Sequence, residues 1–220
     1  MIDYSCMSLS FLSKHYAEID ELRRKKHGMI TRGTEKGLFV PTPLVHMTDA
    51  FSALLKDRII SKNSLFLDAG CGDGRIVALA GMFGLKPYGI EYDDEFFSIA
   101  SDSLKSMKEN GMLKEYGLAK GDFLLESSYR KLGKKFREFN IVFNFINMCN
   151  ELAEKIHIES EKGTVFLIYD TSSVGVKFEN VSYLKTITLR DEDAIRRYNN
   201  KEKFTDLPMM IDYLHIYVKK

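Results

Sequence analysis

The apolar residues of this chain fall into two alternating patterns. Short apolar runs bounded by turn residues are typical of buried strands. They predict strands at 65–67, 88–90, 116–120, 141–145 and 165–169. Before and between these runs, helical spacing predicts helices at 43–57, 75–83, 94–110, 126–137 and 150–161. Strands that alternate with helices in this way form a parallel sheet with helices on both faces.

The N-terminal part of the chain precedes this alternation. Apolar positions with helical spacing predict a helix over 9–27, and Gly28 follows where a C-terminal cap would stand. The stretch 28–38 is rich in glycine and charge, so we expect a mobile connector there. Residues 1–37 are therefore predicted to be an N-terminal helix and its connector.

The C-terminal part breaks the alternation. Residues 181–189 and 211–218 are β-rich, and the polar stretch between them has no pattern of a core helix. These two runs predict a hairpin whose last strand is antiparallel to the others. We therefore expect one α/β domain over 38–220, with a seven-stranded, Rossmann-like sheet that is mostly parallel.

Composition excludes several classes of protein. The 220 residues are 45% apolar, which is typical of a globular chain and not of a disordered one. Lys plus Arg (32) balances Asp plus Glu (31), so bulk charge gives no sign of a dedicated nucleic-acid binder. The basic run Arg23–Lys26 ends the first predicted helix, where cations are favoured, and we interpret it in that way.

Cysteine, histidine and leader patterns point to an ordinary cytoplasmic protein. Three widely spaced cysteines suggest reduced thiols, and neither they nor the five histidines have the spacing of metal ligands, so we expect no metal. No apolar run reaches the ~18–20 residues of a membrane span. The N-terminus lacks the basic flank and apolar stretch of a signal peptide.

The strongest chemical signal is the sequence DAGCGDGR at 68–75, between a predicted strand and a predicted helix. Gly70, Gly72 and Gly74 allow a sharp turn and a close approach to a ligand. Asp68, at the end of the strand, can accept hydrogen bonds from a cationic amine. A dinucleotide fingerprint would place glycine or alanine where Arg75 stands, which argues against NAD and favours a ligand without pyrophosphate.

Two further strand ends have residues suited to a nucleoside. Glu91 lies about 20 residues beyond Gly70, the spacing of an acid that binds ribose hydroxyls. Asp122 can accept from an exocyclic adenine amine, and Phe123 can lie against the base. The alternative is a surface glycine turn without a ligand, which agrees less well with the spacing and the flanking acids.

The order of DAGCGDG, GIE and GDF resembles the class I S-adenosylmethionine-dependent methyltransferases. More narrowly, the chain resembles the non-SET protein-lysine methyltransferases, which are the telomeric-silencing-type histone enzymes and their small archaeal and mitochondrial relatives. The narrower resemblance rests on FVPTP at 39–43, KGDFL at 120–124, IVFNF at 141–145, NEL at 150–152, GTV at 163–165 and YLHIYV at 213–218.

The resemblance implies the cofactor S-adenosyl-L-methionine and a set of residues that hold it. That set is Thr42, Asp68, Gly70, Cys71, Gly72, Glu91, Asp122, Phe123 and Asn144. It also implies that the 39–43 loop covers the methionine end of the cofactor. Asn144 and Phe145 are the candidate catalytic residues, since Asn144 would lie beside the transferring methyl group and both, with Phe39, would form the wall of an acceptor channel. The alternative for Phe145 is that it only packs in the core.

The acceptor is left open by the sequence. A protein substrate presenting lysine is the first hypothesis. An RNA or small-molecule methyltransferase and a non-catalytic S-adenosylmethionine-binding module are the alternatives. The exit of the strand at 141–145 lacks the Asn/Asp-Pro-Pro-Tyr/Phe signature of many enzymes that methylate base amines, which makes a nucleic-acid acceptor less favoured. We expect the connector to order over the cofactor, and the charged segment 190–206 to recognise the acceptor.

Overall fold

The computed structural model describes residues 4–200 and 211–220, which form seven α-helices and nine strands. The helices are α1 Tyr4–His27, α2 Leu44–Lys56, α3 Arg75–Met82, α4 Asp94–Glu109, α5 Glu126–Lys131, α6 Cys149–Glu159 and α7 Glu192–Asn199, with a 3-10 turn at Phe136–Glu138. The strands are β1 Arg32–Thr34, β2 Gly37–Phe39, β3 Leu65–Ala69, β4 Lys86–Glu91, β5 Gly117–Lys120, β6 Ile141–Phe145, β7 Val165–Asp170, β8 Ser182–Arg190 and β9 Ile211–Val218.

Seven of the strands form one sheet in the order β5-β4-β3-β6-β7-β9-β8. Strands β3 to β7 pair in parallel, and β9 lies antiparallel between β7 and β8. This confirms the predicted fold class, including the antiparallel strand of the C-terminal hairpin. Because strand β3 has β4 on one side and β6 on the other, the chain order reverses there, and open α/β sheets bind ligands at the carboxyl end of such a reversal.

Helices pack on both faces of the sheet and make two apolar layers. One layer contains side chains of α1, α2 and α3, with Phe66 and Phe143 from the sheet. The other contains side chains of α5 and α6, with Val142 and Phe166 from the sheet. Strand β7 is buried along its whole length, which explains its continuous apolar sequence.

Three segments differ from the sequence prediction. The expected connector 28–38 contains most of the antiparallel hairpin β1–β2, and the polar stretch after β8 contains helix α7, whose first turn is capped by Asp191. The helix predicted over 126–137 ends at Lys131, because Gly133 adopts a φ of 65°. Local sequence patterns miss the first two elements because each buries little of its own surface.

None of the helices in the described ranges is long and apolar enough to cross a membrane.

Candidate functional site

The glycine turn joins β3 to α3 and is held against β4. Gly70, Gly72 and Gly74 have φ angles of 84°, 55° and 83°, in the left-handed region where a side chain is strained. The amides of Gly70 and Cys71 both donate to the carbonyl of Ile90 at 3.0 Å. The turn is therefore fixed at the carboxyl edge of the sheet.

Asp68 is a buried carboxylate at the end of β3, with 3% of its surface exposed. Within the described part of the chain, no group donates a hydrogen bond to it. Burial, the Glu91 carboxylate and the Asp73 carboxylate raise the pKa of Asp68 well above its usual value. A buried acid without a donor is costly, and a cationic ligand would relieve that cost.

Glu91 ends β4 and binds the glycine turn directly. Its Oε2 accepts from the Gly72 amide at 2.7 Å, and its Oε1 accepts from the Asp93 amide at 2.8 Å. Burial raises its pKa, although these amide donors oppose the shift. Each carboxylate oxygen has a second lone pair, so Glu91 can still accept hydrogen bonds from hydroxyl groups of a ligand.

Asp122 and Phe123 follow β5 at the same edge. Asp122 accepts from the Leu124 amide at 2.8 Å and pairs with the Lys36 ammonium at 3.1 Å. The ring of Phe123 lies 3.6 Å from the position that a Cβ on Gly70 would occupy. The residues predicted to bind a base thus adjoin the turn predicted to bind the rest of the ligand.

Two adjacent clefts, which share part of their lining, lie along this edge. The first, which we call the Asp68 cleft, has a lining that includes Thr42, Asp68, Gly70, Cys71, Gly72, Asn144 and Phe145. The second, the Glu91 cleft, has a lining that includes Gly70, Gly72, Glu91, Asp122 and Phe123. The structure therefore brings every residue of the predicted set to one elongated site; their role in binding remains a prediction.

The hairpin β1–β2 lies over the junction of the two clefts, and we call residues 32–39 the roof hairpin. Leu38 and Phe39 line both clefts. A Cβ on Gly72 would lie 2.5 Å from the ring of Phe39, so only glycine lets the ring settle there. At the tip of the hairpin, the Lys36 carbonyl accepts from Asn147 Nδ2 at 2.8 Å.

The two candidate catalytic residues have different surroundings. Asn144 is buried; its Nδ2 donates to the Ala69 carbonyl at 2.7 Å, and its Oδ1 accepts from the Asn147 amide at 2.8 Å. Phe145 is half-buried, and its ring packs on Tyr169 with centroids 5.0 Å apart. Asn144 thus braces the loop after β6, while Phe145 forms part of the cleft wall.

The loop after β6 also departs from ordinary backbone geometry. Ile146 and Met148 have φ angles of 32° and 51°, which is unusual for residues with side chains. Such strain persists only where the surroundings enforce it, and it is frequent at functional sites. Here the bonds of Asn144 and Asn147 supply that constraint.

A buried ionic cluster beside the glycine turn was missed by the sequence interpretation. Arg23 is only 6% exposed, and its Nη1 lies 3.1 Å from Oδ2 of Asp73. Arg75 pairs with Asp73 at 2.7 Å and with Asp20 at 2.7 Å. The interpretation of the basic run as a simple helix end is therefore wrong for Arg23. Arg75 stands where a dinucleotide fingerprint has glycine. It was the one sequence signal that could have suggested a charged partner near the turn.

A second missed cluster lies behind the wall of the Asp68 cleft. Nδ1 of His46 lies 2.7 Å from the hydroxyl of Tyr169, which donates to Asp212 at 2.5 Å. Burial and the Asp212 carboxylate raise the pKa of Tyr169. Since Tyr169 packs on Phe145, this cluster fixes the wall from behind and links α2, β7 and β9.

The structure shows no cluster of metal-ligating residues in the ranges it describes.

The expected acceptor-recognising segment 190–206 is described only in part. Its first residues form the end of β8 and helix α7, whereas 201–206 lie outside the described residues.

Comparison with known proteins gives matches to solved structures. No protein-family model and no curated protein sequence matches the chain. An RNA methyltransferase from Salinibacter ruber, in complex with S-adenosyl-L-homocysteine, has 19% identity and a TM-score of 0.51 over 82% of this chain and 95% of its own. An rRNA methyltransferase from Streptomyces viridochromogenes has 10% identity and a TM-score of 0.53, over 82% and 86%.

A precorrin-6y C5,15-methyltransferase from Geobacter metallireducens GS-15 has 11% identity and a TM-score of 0.51, over 83% of this chain and 94% of its own. At such low identities the likeness concerns the fold alone. The chain therefore has the seven-stranded, Rossmann-like fold that these methyltransferases share.

Proposed function

We propose that this protein is an S-adenosylmethionine-dependent methyltransferase. The observation that carries the proposal is the row of three acids at the carboxyl edge of the sheet, with Asp68, Glu91 and Asp122 lining two adjacent clefts that share the glycine turn. An elongated ligand with a cationic amino-acid end, a ribose and an adenine presents matching donors in the same order. The fold shared with methyltransferases supports the same conclusion.

The surroundings of each acid fit one part of that ligand. Asp68 lacks a donor and is suited to the amino group of the methionine end. Glu91 keeps free lone pairs for the ribose hydroxyls, and Asp122 with Phe123 is suited to the base. The left-handed Gly70 leaves room that a side chain would occupy, so the ligand can contact the backbone of the turn.

For the acceptor, we propose an amine of a protein lysine side chain. Accessible apolar side chains lie at the Asp68 cleft: Leu38 and Phe145 belong to its lining, Leu38 is 62% exposed, and Ile146, the residue after Phe145, is 39% exposed. The cation that lines this cleft, Arg75, is already paired with two acids. A polyanionic RNA would gain affinity from unpaired basic residues, which the described lining of this cleft does not offer.

The residues of the cleft suit methylation of an amine. S-adenosylmethionine, when bound, supplies an electrophilic methyl group on a sulfonium. A lysine must lose its proton before it reacts, because its free pKa is about 10.4. Apolar walls such as Phe145 lower that pKa by disfavouring the charged form, and water at the mouth can take the proton. The loop braced by Asn144 then positions the acceptor, and the aromatic rings stabilise the methylammonium product.

Binding of S-adenosylhomocysteine tests the cofactor. We expect calorimetry to give a micromolar dissociation constant for the wild-type protein and no binding of NADH. Glu91→Gln should weaken binding about tenfold to a hundredfold, because a charged acceptor is worth about 1.5–3 kcal/mol. The control is Glu109→Gln, an exposed acid on α4, which should bind as the wild type does. Absence of binding to the wild type would refute the proposed cofactor.

Transfer of labelled methyl groups tests the acceptor. The protein is incubated with a cell lysate and radiolabelled S-adenosylmethionine, with Asp68→Ala as the inactive control. Protease-sensitive label recovered as methyl-lysine is the expected result. RNase-sensitive label, or label in small molecules, would show one of the alternative acceptors instead. Tight cofactor binding without transfer to any fraction would indicate a non-catalytic module.

A further inference from the structure

Helix α1 is fixed to the glycine turn by buried charges. Arg23 and Arg75 both bind the carboxylate of Asp73, a residue of the turn itself, and Asp20 of α1 pairs with Arg75. The hydroxyl of Tyr16 in α1 also donates to the Asp73 carbonyl at 3.3 Å. The N-terminal helix is therefore attached to the ligand-binding turn and not only to the outside of the sheet.

The guanidinium group of the same arginine also lies against the roof hairpin. Its Cζ lies 4.4 Å from the centroid of the Phe39 ring and 4.8 Å from that of Phe96. The two rings stack on each other with centroids 4.0 Å apart. The guanidinium group of Arg23 thus contacts both Asp73 of the turn, through Nη1, and the ring of Phe39 in the roof.

We propose that Arg23 is a positioning residue for the cofactor site and that helix α1 is an integral part of that site. Arg23 sets the position of Phe39, which closes the junction of the Asp68 and Glu91 clefts above Gly72. The assignment of a cofactor to this site rests on the proposed function, whereas the link between α1, the turn and the roof rests on the contacts alone.

The roof depends on such contacts because it has little stability of its own. Each strand of the hairpin has three residues, and an isolated two-stranded hairpin is at best marginally stable in water. Its other attachments include the pairs of Arg32 with Asp93 and Glu95, the pair of Lys36 with Asp122, and the bond from Asn147 to the Lys36 carbonyl. Phe39 also rests directly on Gly72, and Arg23 adds a contact that joins Phe39 to α1.

Charge alone does not explain an arginine at this position. Its Nη2 is buried without a hydrogen-bond partner among the described residues, which is a cost that evolution usually avoids. A lysine could neutralise Asp73, but its ammonium is a compact point charge and lacks the broad, delocalised guanidinium group that lies beside the two rings. The contact geometry therefore favours a role in placing the roof over a role in charge balance only.

The test compares Arg23→Lys with Arg24→Lys, the same change at the next residue of α1, where the side chain pairs with Glu21 on the exposed surface. Hydrogen exchange is first measured without any ligand. We expect Arg23→Lys to raise exchange of residues 32–39 at least tenfold, and Arg24→Lys to leave it unchanged. Phe39→Leu, which removes the ring and not the guanidinium, should raise exchange there in the same way, and adding Arg23→Lys to it should add little.

Binding of S-adenosylhomocysteine to the same variants is measured second. We expect Arg23→Lys to weaken binding about tenfold while Arg24→Lys does not change it. Unchanged exchange in Arg23→Lys would overturn the proposal, and so would faster exchange with unchanged affinity. If the wild type bound no S-adenosylhomocysteine, the proposed function would fail, but the exchange measurement would still decide whether Arg23 places the roof.

Discussion

Replacing Asp73 with asparagine is expected to lower the free energy of unfolding by about 3–5 kcal/mol, the usual cost of removing one partner from a buried ion pair. Asp73 is 1% exposed and is the carboxylate that Arg23 and Arg75 share. Asparagine keeps the shape but leaves two buried guanidinium groups with Asp20 as the remaining acid of the cluster. Urea unfolding followed by circular dichroism measures the change.

Asp193→Asn is the matched control, because Asp193 is exposed and pairs with Arg196 on the surface of α7. It should change stability by less than about 0.5 kcal/mol. Although burial alone would raise the pKa of Asp73, Arg75 and Arg23 hold it below its ordinary value. Its contribution is therefore present above the pKa of the unfolded chain and is lost as pH falls through the lower folded pKa. A wild-type-like stability of Asp73→Asn would mean that the cluster does not anchor α1.

Asp68→Asn is expected to weaken binding of S-adenosylhomocysteine about tenfold to a hundredfold at neutral pH, since it removes the charge opposite the ligand amino group. Wild-type affinity should also fall as pH is lowered from 8 to 5. The pKa of Asp68 without ligand is raised by burial, Glu91 and Asp73, and a bound ammonium favours the ionised form. Binding therefore releases a proton and is favoured above that pKa.

Calorimetry over this pH range checks the prediction, with the exposed Asp102→Asn on α4 as the control that keeps both affinity and pH dependence. Asp68→Asn should keep only the smaller dependence that comes from Glu91, whose pKa burial also raises. An Asp68→Asn protein with the pH dependence of the wild type would show that Asp68 does not face the ligand amino group.

Regular elements of the main sheet follow from the sequence because each buries its own apolar pattern. Strand β6 is found at the predicted residues 141–145, and Asp93 caps α4 by accepting from two amides of its first turn. The glycine turn could also be predicted, because glycine adopts a left-handed backbone conformation at low energetic cost and other residues do not. The carboxyl ends of parallel strands share one edge, so the spacing of Asp68, Glu91 and Asp122 was sufficient to bring them together.

The roof hairpin and the setting of Arg23 could not be predicted in this way. A three-residue strand is too short to show a period of apolar and polar residues. A basic run at a helix end has the same sequence pattern whether all of its side chains are exposed to solvent or one of them is buried. The surroundings of Asn144 could not be predicted either. Its Nδ2 bonds to a carbonyl 75 residues away, and its Oδ1 bonds to an amide three residues away in an irregular loop.

The sequence by itself determined the order of strands and helices, the glycine turn and the acids at the strand ends. These features are encoded locally, by apolar period and by backbone conformations that few residue types allow. Only the tertiary structure decided what covers the turn, how α1 is attached to it and which side chains are already engaged. Those depend on contacts between distant residues such as Arg23 and Asp73, whose energies come from burial that no local pattern records.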